Sequence, residues 1–179
     1  MSDVPNRSRI LAAAIAFGVI AGDRAAKLAI QRSLAVYDNI SVVPDWLRIV
    51  HTENPGAAFG ILADGNPILR STVLIGISSA VLVFVAIALW KHAGSVIARI
   101  GLSLILGGAF GNLYDRVMHR TVTDFIEVYH ASWSFPAFNI ADSAITVGAA
   151  FLLLDLLKPH RSKPQQADTP PPKHAAQTR

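Results

Sequence analysis

Leu69-Arg70-Ser71-Thr72-Val73-Leu74-Ile75-Gly76-Ile77-Ser78-Ser79-Ala80-Val81-Leu82-Val83-Phe84-Val85-Ala86-Ile87-Ala88-Leu89-Trp90 carries one charged side chain, Arg70, and that one stands at its edge. A run this long and apolar matches the ~20 residues that an α-helix needs to cross a hydrocarbon core. Three further runs approach that length: Ile10 to about Ile30, Val96 to about Leu113, and Phe138 to Leu157. The first is interrupted by Asp23, Arg24 and Lys27, and the third carries Arg99 near its start.

The composition agrees with membrane embedding. The 179 residues are 52% hydrophobic and only 16% charged, with a mean hydropathy of +0.42. Soluble domains carry about a quarter charged residues, so this chain has too little polar surface to cover a soluble core. One domain is expected at this length. There are no cysteines, which excludes disulfides, thiolate chemistry and cysteine-bound zinc. The net charge of +4 would suit nucleic acid, but much of the excess lies at the ends, in Arg7, Arg9, Lys158, Arg161, Lys163, Lys173 and Arg179. Charge so placed sets membrane orientation, and no nucleic-acid partner is expected.

The expected fold is therefore a membrane all-α protein, a four-transmembrane-helix bundle with a small extracytoplasmic β element and loop region. The integral membrane domain covers 1–158, with spans at about 10–30, 69–90, 96–113 and 138–157. The basic residues put both termini in the cytoplasm and leave 31–68 and 114–137 extracytoplasmic. Arg7 and Arg9 ahead of an apolar stretch also fit a cleaved signal peptide, but the helical pattern continues through Asp23 and Lys27 and three spans follow. Val42 to His51 is rich in β-branched residues and reads as one or two short strands. Trp46 suits a membrane interface, and Trp133 and Phe135 suggest that the second outer loop also touches lipid. The tail, 159–179, holds Pro170-Pro171-Pro172 with Gln, Lys and Ala, and is expected to be disordered and cytoplasmic.

This topology gathers polar groups at one end. Asp23 and Lys27, spaced i,i+4, share a helix face near the outer end of span one. Asn112, Asp115 and Arg116 lie at or just past the outer end of span three. Asp142 falls in the first turns of span four, and Asn54 and Asp124 in outer loops. Asp155, near the inner end of span four, reads as an interfacial residue. Charges at span ends can simply anchor helices, and that suffices for any one of them. So many on one side, with almost none in span two, point to function, because ionisable groups in membrane spans are costly. Gly107 and Gly111, four apart, allow close helix approach. Asn54-Pro55-Gly56-Ala57-Ala58-Phe59 has the residues of a tight turn whose backbone can approach a ligand. Asn112 could instead cap span three, and Arg116 could be a paired helix-end arginine.

Asp23-x-x-x-Lys27, the Asn54 to Phe59 turn, Gly107-Gly108-Ala109-Phe110-Gly111-Asn112-Leu113-Tyr114-Asp115-Arg116, Val122-Thr123-Asp124-Phe125 and Phe138-Asn139-Ile140-Ala141-Asp142 stand in the order and spacing of bacterial lipoprotein signal peptidases (signal peptidase II). The resemblance covers about Ile10 to Leu157. Thr123 departs from it, standing where many members have an apolar residue. The resemblance implies an aspartic intramembrane endopeptidase of the bacterial inner membrane. It would cleave diacylglyceryl-modified prolipoproteins just before the lipidated cysteine, with its site at the extracytoplasmic face. It also implies Asp124 and Asp142 as the catalytic dyad. Asn54, Gly56, Asn112, Arg116, Asp115, Asp23, Lys27 and Asn139 would bind substrate or support the site. No cofactor or metal is implied. Membrane lipids are expected partners and the chain is expected to be a monomer.

Two close carboxylates sharing a proton can supply both the base and the acid of peptide hydrolysis. The positive end of the span-four helix favours negative charge on Asp142, and Lys27 and Arg116 are candidates to neutralise Asp23 and Asp115. Other chemistries are poorly served. A serine hydrolase would need Ser143 or Ser132 with His130 or His119, and no Gly-x-Ser-x-Gly element exists. No His-Glu-x-x-His pattern exists either. A transporter would place its polar residues near the midplane, commonly within repeats, and no repeat is visible.

Overall fold

A computed structural model describes residues 4–56, 66–91 and 95–157. The tail at 159–179 and Ala57 to Phe59 lie outside the described residues. Among the described residues there are four helices: α1 (Val4–Ser33), α2 (Pro67–Lys91), α3 (Val96–His119) and α4 (Ile140–Leu156). Four strands, β1 (Asn39–Val43), β2 (Leu47–Asn54), β3 (Val122–His130) and β4 (Trp133–Ser134), form one antiparallel sheet in the order β1-β2-β3-β4. Among the described residues, α2 and α3 are the helices long and apolar enough to cross a membrane by length and composition.

The helices are inverted relative to a water-soluble protein. Phe17 and Phe84 are each 71% exposed, whereas Lys27 and Ser103 are wholly buried. Apolar side chains face outward and polar ones inward, the arrangement a hydrocarbon solvent selects. The helix α3 sits at the centre and packs against α1, α2 and α4. Its glycines make this possible. A Cβ on Gly108 would lie 2.4 Å from the carbonyl oxygen of Ala141, and one on Gly107 would lie 2.7 Å from that of Ala16. The backbones of α1 and α4 thus approach α3 where it has no side chain.

Three expectations need correction. The third helix runs to His119 rather than ending near Leu113, so Asn112, Asp115 and Arg116 are helical. Hydropathy drops at Asn112, but the backbone ladder does not, because Asp115 turns inward onto α1. The helix ends instead at Arg120, in the left-handed region at φ 64°, whose N–H bonds to the carbonyl of Arg116. Asn112 is therefore not a cap. The second outer segment, read as loop, contains β3 and β4. Its residues Val122-Thr123-Asp124-Phe125-Ile126-Glu127-Val128-Tyr129-His130 are β-branched or aromatic in majority, so the β element is larger than the sequence suggested. Asp155 is not merely interfacial: Ser95, the N-cap of α3, hydrogen-bonds its carboxylate through Oγ.

The sheet positions the site. β2 and β3 pair antiparallel with Glu53 opposite Thr123 and Thr52 opposite Asp124. The chain then folds back, and an isolated bridge joins Ile126 to Phe138. The carbonyl of Phe138 accepts from Phe125 N at 3.0 Å and Ile126 N at 2.8 Å. The start of α4 is thereby fixed beside β3.

Candidate active site

Asn139 is the N-cap of α4. Its side chain accepts from Asp142 N at 2.9 Å, and Asp142 Oδ2 accepts from Asn139 N at 3.2 Å. This is a capping box, which satisfies two otherwise unpaired backbone donors and holds a carboxylate in the first turn. Negative charge there faces the positive end of the helix dipole. Asp124 comes from β3 and is 3% exposed. Both carboxylates line one cavity of about 600 Å³, together with Asn54, Arg116, Val122 and Phe135 among others.

Three asparagine amides hold the two aspartates, and each amide is oriented by a partner that can only donate. Asn54 Oδ1 accepts from Gly56 N at 2.9 Å, so its Nδ2 points to Asp124 Oδ2 at 3.0 Å. Asn139 Oδ1 faces the Asp142 N–H, so its Nδ2 meets Asp124 Oδ1 at 2.7 Å. Asn112 Oδ1 accepts from Lys27 Nζ at 3.1 Å, so its Nδ2 meets Asp142 Oδ1 at 2.7 Å. An ammonium has no acceptor and an amide N–H has none either, so flipping any of the three would set donor against donor.

Beneath the two aspartates lies a buried ionic cluster. Lys27 Nζ sits 2.7 Å from Asp23 Oδ2 and 2.6 Å from Asp115 Oδ2. Asp23 Oδ1 accepts from Ala141 N at 2.9 Å, tying α1 to the first turn of α4. Arg24, not Arg116, makes the second ion pair with Asp115, at 3.5 Å. Arg116 donates to the carbonyl of Asn112 at 3.2 Å and otherwise faces the cavity, where its positive charge lies toward Asp142 and Asp124. Gly56 is buried and contributes its N–H to the Asn54 turn. Asp23, Lys27 and Asp115 thus form the ionic cluster behind the two aspartates, Asn54, Asn112 and Asn139 hold them, Gly56 orients Asn54, and Arg116 lines the cavity.

Burial pushes the Asp124 carboxyl up to about 7, and the nearby Asp142 charge raises it further, while hydrogen bonds from Asn54 and Asn139 and the Lys27 charge oppose the rise. Asp124 is therefore protonated over much of the acidic to neutral range. The Asp124 carboxyl thus stands beside a second carboxyl, held by an amide and a helix N-terminus, and both face the same cavity.

The sequence reading missed a second layer on the far face of β2 and β3. Glu53 accepts from Thr121 Oγ1 at 2.6 Å and Thr123 Oγ1 at 2.9 Å. Gln31 donates to Thr123 at 2.8 Å. Strand alternation, which places Glu53 and Thr123 opposite Asn54 and Asp124, was the signal available.

The chain matches the family model described as signal peptidase (SPase) II over residues 15–158. It is 44% identical over 144 residues to the lipoprotein signal peptidase of Solibacter usitatus, covering 80% of this chain and 88% of the relative. It is 39% identical over 166 residues to that of Pseudomonas aeruginosa, covering 90% and 96%. A solved bacterial membrane enzyme, determined by the in meso method at 2.3 Å resolution, superposes with a TM-score of 0.77 at 31% identity. That match spans 88% of this chain and 94% of the other. With a family model across most of its length and relatives this similar over most of theirs, the chain belongs to the signal peptidase II family.

Proposed function

We propose that Asp124 and Asp142 are the catalytic dyad by which this peptidase removes signal peptides from lipoprotein precursors. The observation that carries the reading is the shared cavity, into which both carboxylates are turned by amides that cannot flip. Water lodged between the carboxylates attacks the scissile carbonyl carbon while Asp142 takes its proton. Asp124 gives its proton to the carbonyl oxygen, yielding a neutral gem-diol. Asp142 then protonates the departing nitrogen, the C–N bond breaks, and Asp124 recovers a gem-diol proton. The pair returns to its starting state with one proton shared. Arg116 and the unpaired faces of the cavity are available to the substrate backbone.

The four helices all cross the bacterial inner membrane in this reading, with both termini cytoplasmic and the dyad at the extracytoplasmic edge. The outward-facing apolar side chains of α1 and α4, including Phe17 and Leu153, support it. So does the basic chain end beyond α4. The substrate is a prolipoprotein whose diacylglyceryl chains stay in the bilayer while its scissile bond reaches the surface. The enzyme acts as a monomer among membrane lipids and needs no cofactor.

The test is cleavage of a diacylglyceryl-modified prolipoprotein by reconstituted protein. Wild type cleaves, and Asp124→Asn and Asp142→Asn fold but lose nearly all activity. Full activity in either folded variant overturns the dyad.

A further inference from the structure

The strand pair that carries the dyad has two faces. Asn54, Val122 and Asp124 turn toward the cavity. His51, Glu53, Thr121 and Thr123 turn the other way, toward the end of α1, as the alternation of β2 and β3 requires. On this far face the polar side chains bond to one another and to the end of α1. Glu53 takes the hydroxyls of Thr121 and Thr123 on its two oxygens, at 2.6 and 2.9 Å. The same Thr123 hydroxyl accepts from Gln31 Nε2 of α1 at 2.8 Å. His51 Nδ1 donates to the carbonyl of Leu34, just past α1, at 2.8 Å, and its Nε2 lies 3.1 Å from Glu53 Oε1. Burial alone would raise the Glu53 carboxyl, but the bonds from Thr121, His51 and Thr123 outweigh it and hold the carboxyl below its ordinary value.

This layer uses no group of the dyad, and none of its residues lines the cavity that holds Asp124 and Asp142. What it joins, however, are the two chain segments on which the dyad geometry depends. Glu53 adjoins Asn54, and Thr123 adjoins Asp124. Clamping Glu53 to Thr123 across the strands sets the separation between Asn54 Nδ2 and Asp124 Oδ2, which is 3.0 Å. Clamping both to Gln31 and Leu34 sets the strand pair against α1, the helix that supplies Lys27 and through it orients Asn112.

We propose that Glu53 and Thr123 form a clip on the far face of the sheet and act as positioning residues for Asp124. The clip rests on the dyad reading, since it matters for the reaction only if Asp124 does. It touches neither substrate nor reacting atoms. Its effect is to keep the Asp124 carboxyl within bonding distance of two amides, and so to fix both its orientation and its proton.

The experiment compares full-length wild type, Thr123→Val, Thr123→Ser, Glu53→Gln, the Thr123→Val/Glu53→Gln double variant and Asp124→Asn, reconstituted with the same modified prolipoprotein. Valine keeps the β-branched shape and removes both Thr123 bonds. Thr123→Val is expected to lower kcat about tenfold with KM within about twofold, and to move the alkaline limb of kcat/KM by half a pH unit or more. Thr123→Ser, which keeps the hydroxyl, restores kcat to within about threefold of wild type. The double variant falls no lower than the worse single one, because both break the same clip. Wild-type kcat and an unmoved limb in folded Thr123→Val, with Asp124→Asn inactive, overturn the clip and leave the dyad standing. Activity in Asp124→Asn overturns the dyad itself. Should Thr123→Val fail to fold, Glu53→Gln carries the same comparison: a loss of thermal stability without a change in limb or kcat refutes positioning.

Discussion

Replacing Lys27 by methionine removes one positive charge from a site that water does not reach. Lys27 is wholly buried, and its ammonium serves three acceptors: Asp23 at 2.7 Å, Asp115 at 2.6 Å and Asn112 at 3.1 Å. Methionine preserves volume and helix propensity, so no cavity confuses the outcome. Two carboxylates then remain within one dry site, and Arg24, 3.5 Å from Asp115 with its side chain 31% exposed, is the nearby cation left to them. Breaking a buried pair while leaving its partner charged costs ~3–5 kcal/mol, and a loss of at least ~3 kcal/mol is expected here. Replacing the whole group is a different matter: Lys27→Met/Asp23→Asn/Asp115→Asn should recover most of the loss, since no charge is left stranded. Activity should not recover with it. Without Lys27 the Asn112 oxygen keeps only the longer bond from Asn139 Nδ2, at 3.3 Å, and the amide is held less firmly on Asp142. A misplacement of this kind costs up to ~100-fold in rate. Reversible unfolding in mixed micelles, followed by tryptophan fluorescence, measures the first quantity, and prolipoprotein cleavage the second. A single variant within ~0.5 kcal/mol of wild type, or a triple variant as active as wild type, refutes the reasoning.

Further outcomes follow from the geometry. With Asp124 pushed up to about 7 from 3.8, kcat/KM should fall about tenfold per pH unit above that point as the proton it must donate is lost. The same displacement bears on stability. The folded state holds this proton more tightly than the unfolded chain, so stability is fully present below 3.8 and declines by at most ~4 kcal/mol as pH rises through about 7. A cleavage profile flat to pH 9, or an Asp124→Asn variant with the wild-type pH dependence of unfolding, contradicts this. Gly108→Ala sets a Cβ 2.4 Å from the Ala141 carbonyl oxygen and 2.8 Å from Ile145 Cγ1. Separating α3 from α4 should cost ~1–3 kcal/mol and stretch the Asn112–Asp142 bond one turn away. Gly76→Ala, with nothing within 4 Å of its Cβ, should change neither stability nor cleavage. Equal behaviour of the two variants would show that the α3–α4 contact is looser than described.

The helices and the candidate aspartates were legible in the sequence because their signals are local. A charge-free run such as Val73 to Trp90 announces a helix in lipid, and the Asp23/Lys27 spacing announces a shared face. The ordered motifs, read as a resemblance, named the candidate residues. The end of α3 was misjudged because hydropathy reports the solvent rather than the backbone ladder. Asp115 is polar and lies past the apolar run, yet it continues the helix and turns into the bundle to meet Lys27. The strand β3 was hidden by Asp124 and Glu127, which break the alternation of an otherwise β-rich segment. The Glu53 layer was invisible for a different reason. Strand alternation puts Glu53 and Thr123 on the face away from Asn54 and Asp124, but the partners that meet there are far apart in sequence, as in Glu53–Thr123 at 70 positions and Gln31–Thr123 at 92, and alternation does not say which will pair. The pairing of Asp115 with Arg24 rather than Arg116 likewise depends on the rotation of α1 about its axis.

The wall of the cavity includes Thr146 and Val147, which belong to the outward face of α4. Val147 is 46% exposed, so the cavity wall reaches the outward face of the bundle as well as the sheet. For a protein surrounded by lipid, that makes the entrance a door in the plane of the bilayer. A substrate with two acyl chains would arrive by lateral diffusion, and its encounter rate would depend on how many substrate molecules share each unit of membrane area. Adding detergent or carrier lipid at constant substrate and enzyme would then slow cleavage by surface dilution. A Michaelis constant for this enzyme has its natural unit in mole fraction of lipid rather than in moles per litre.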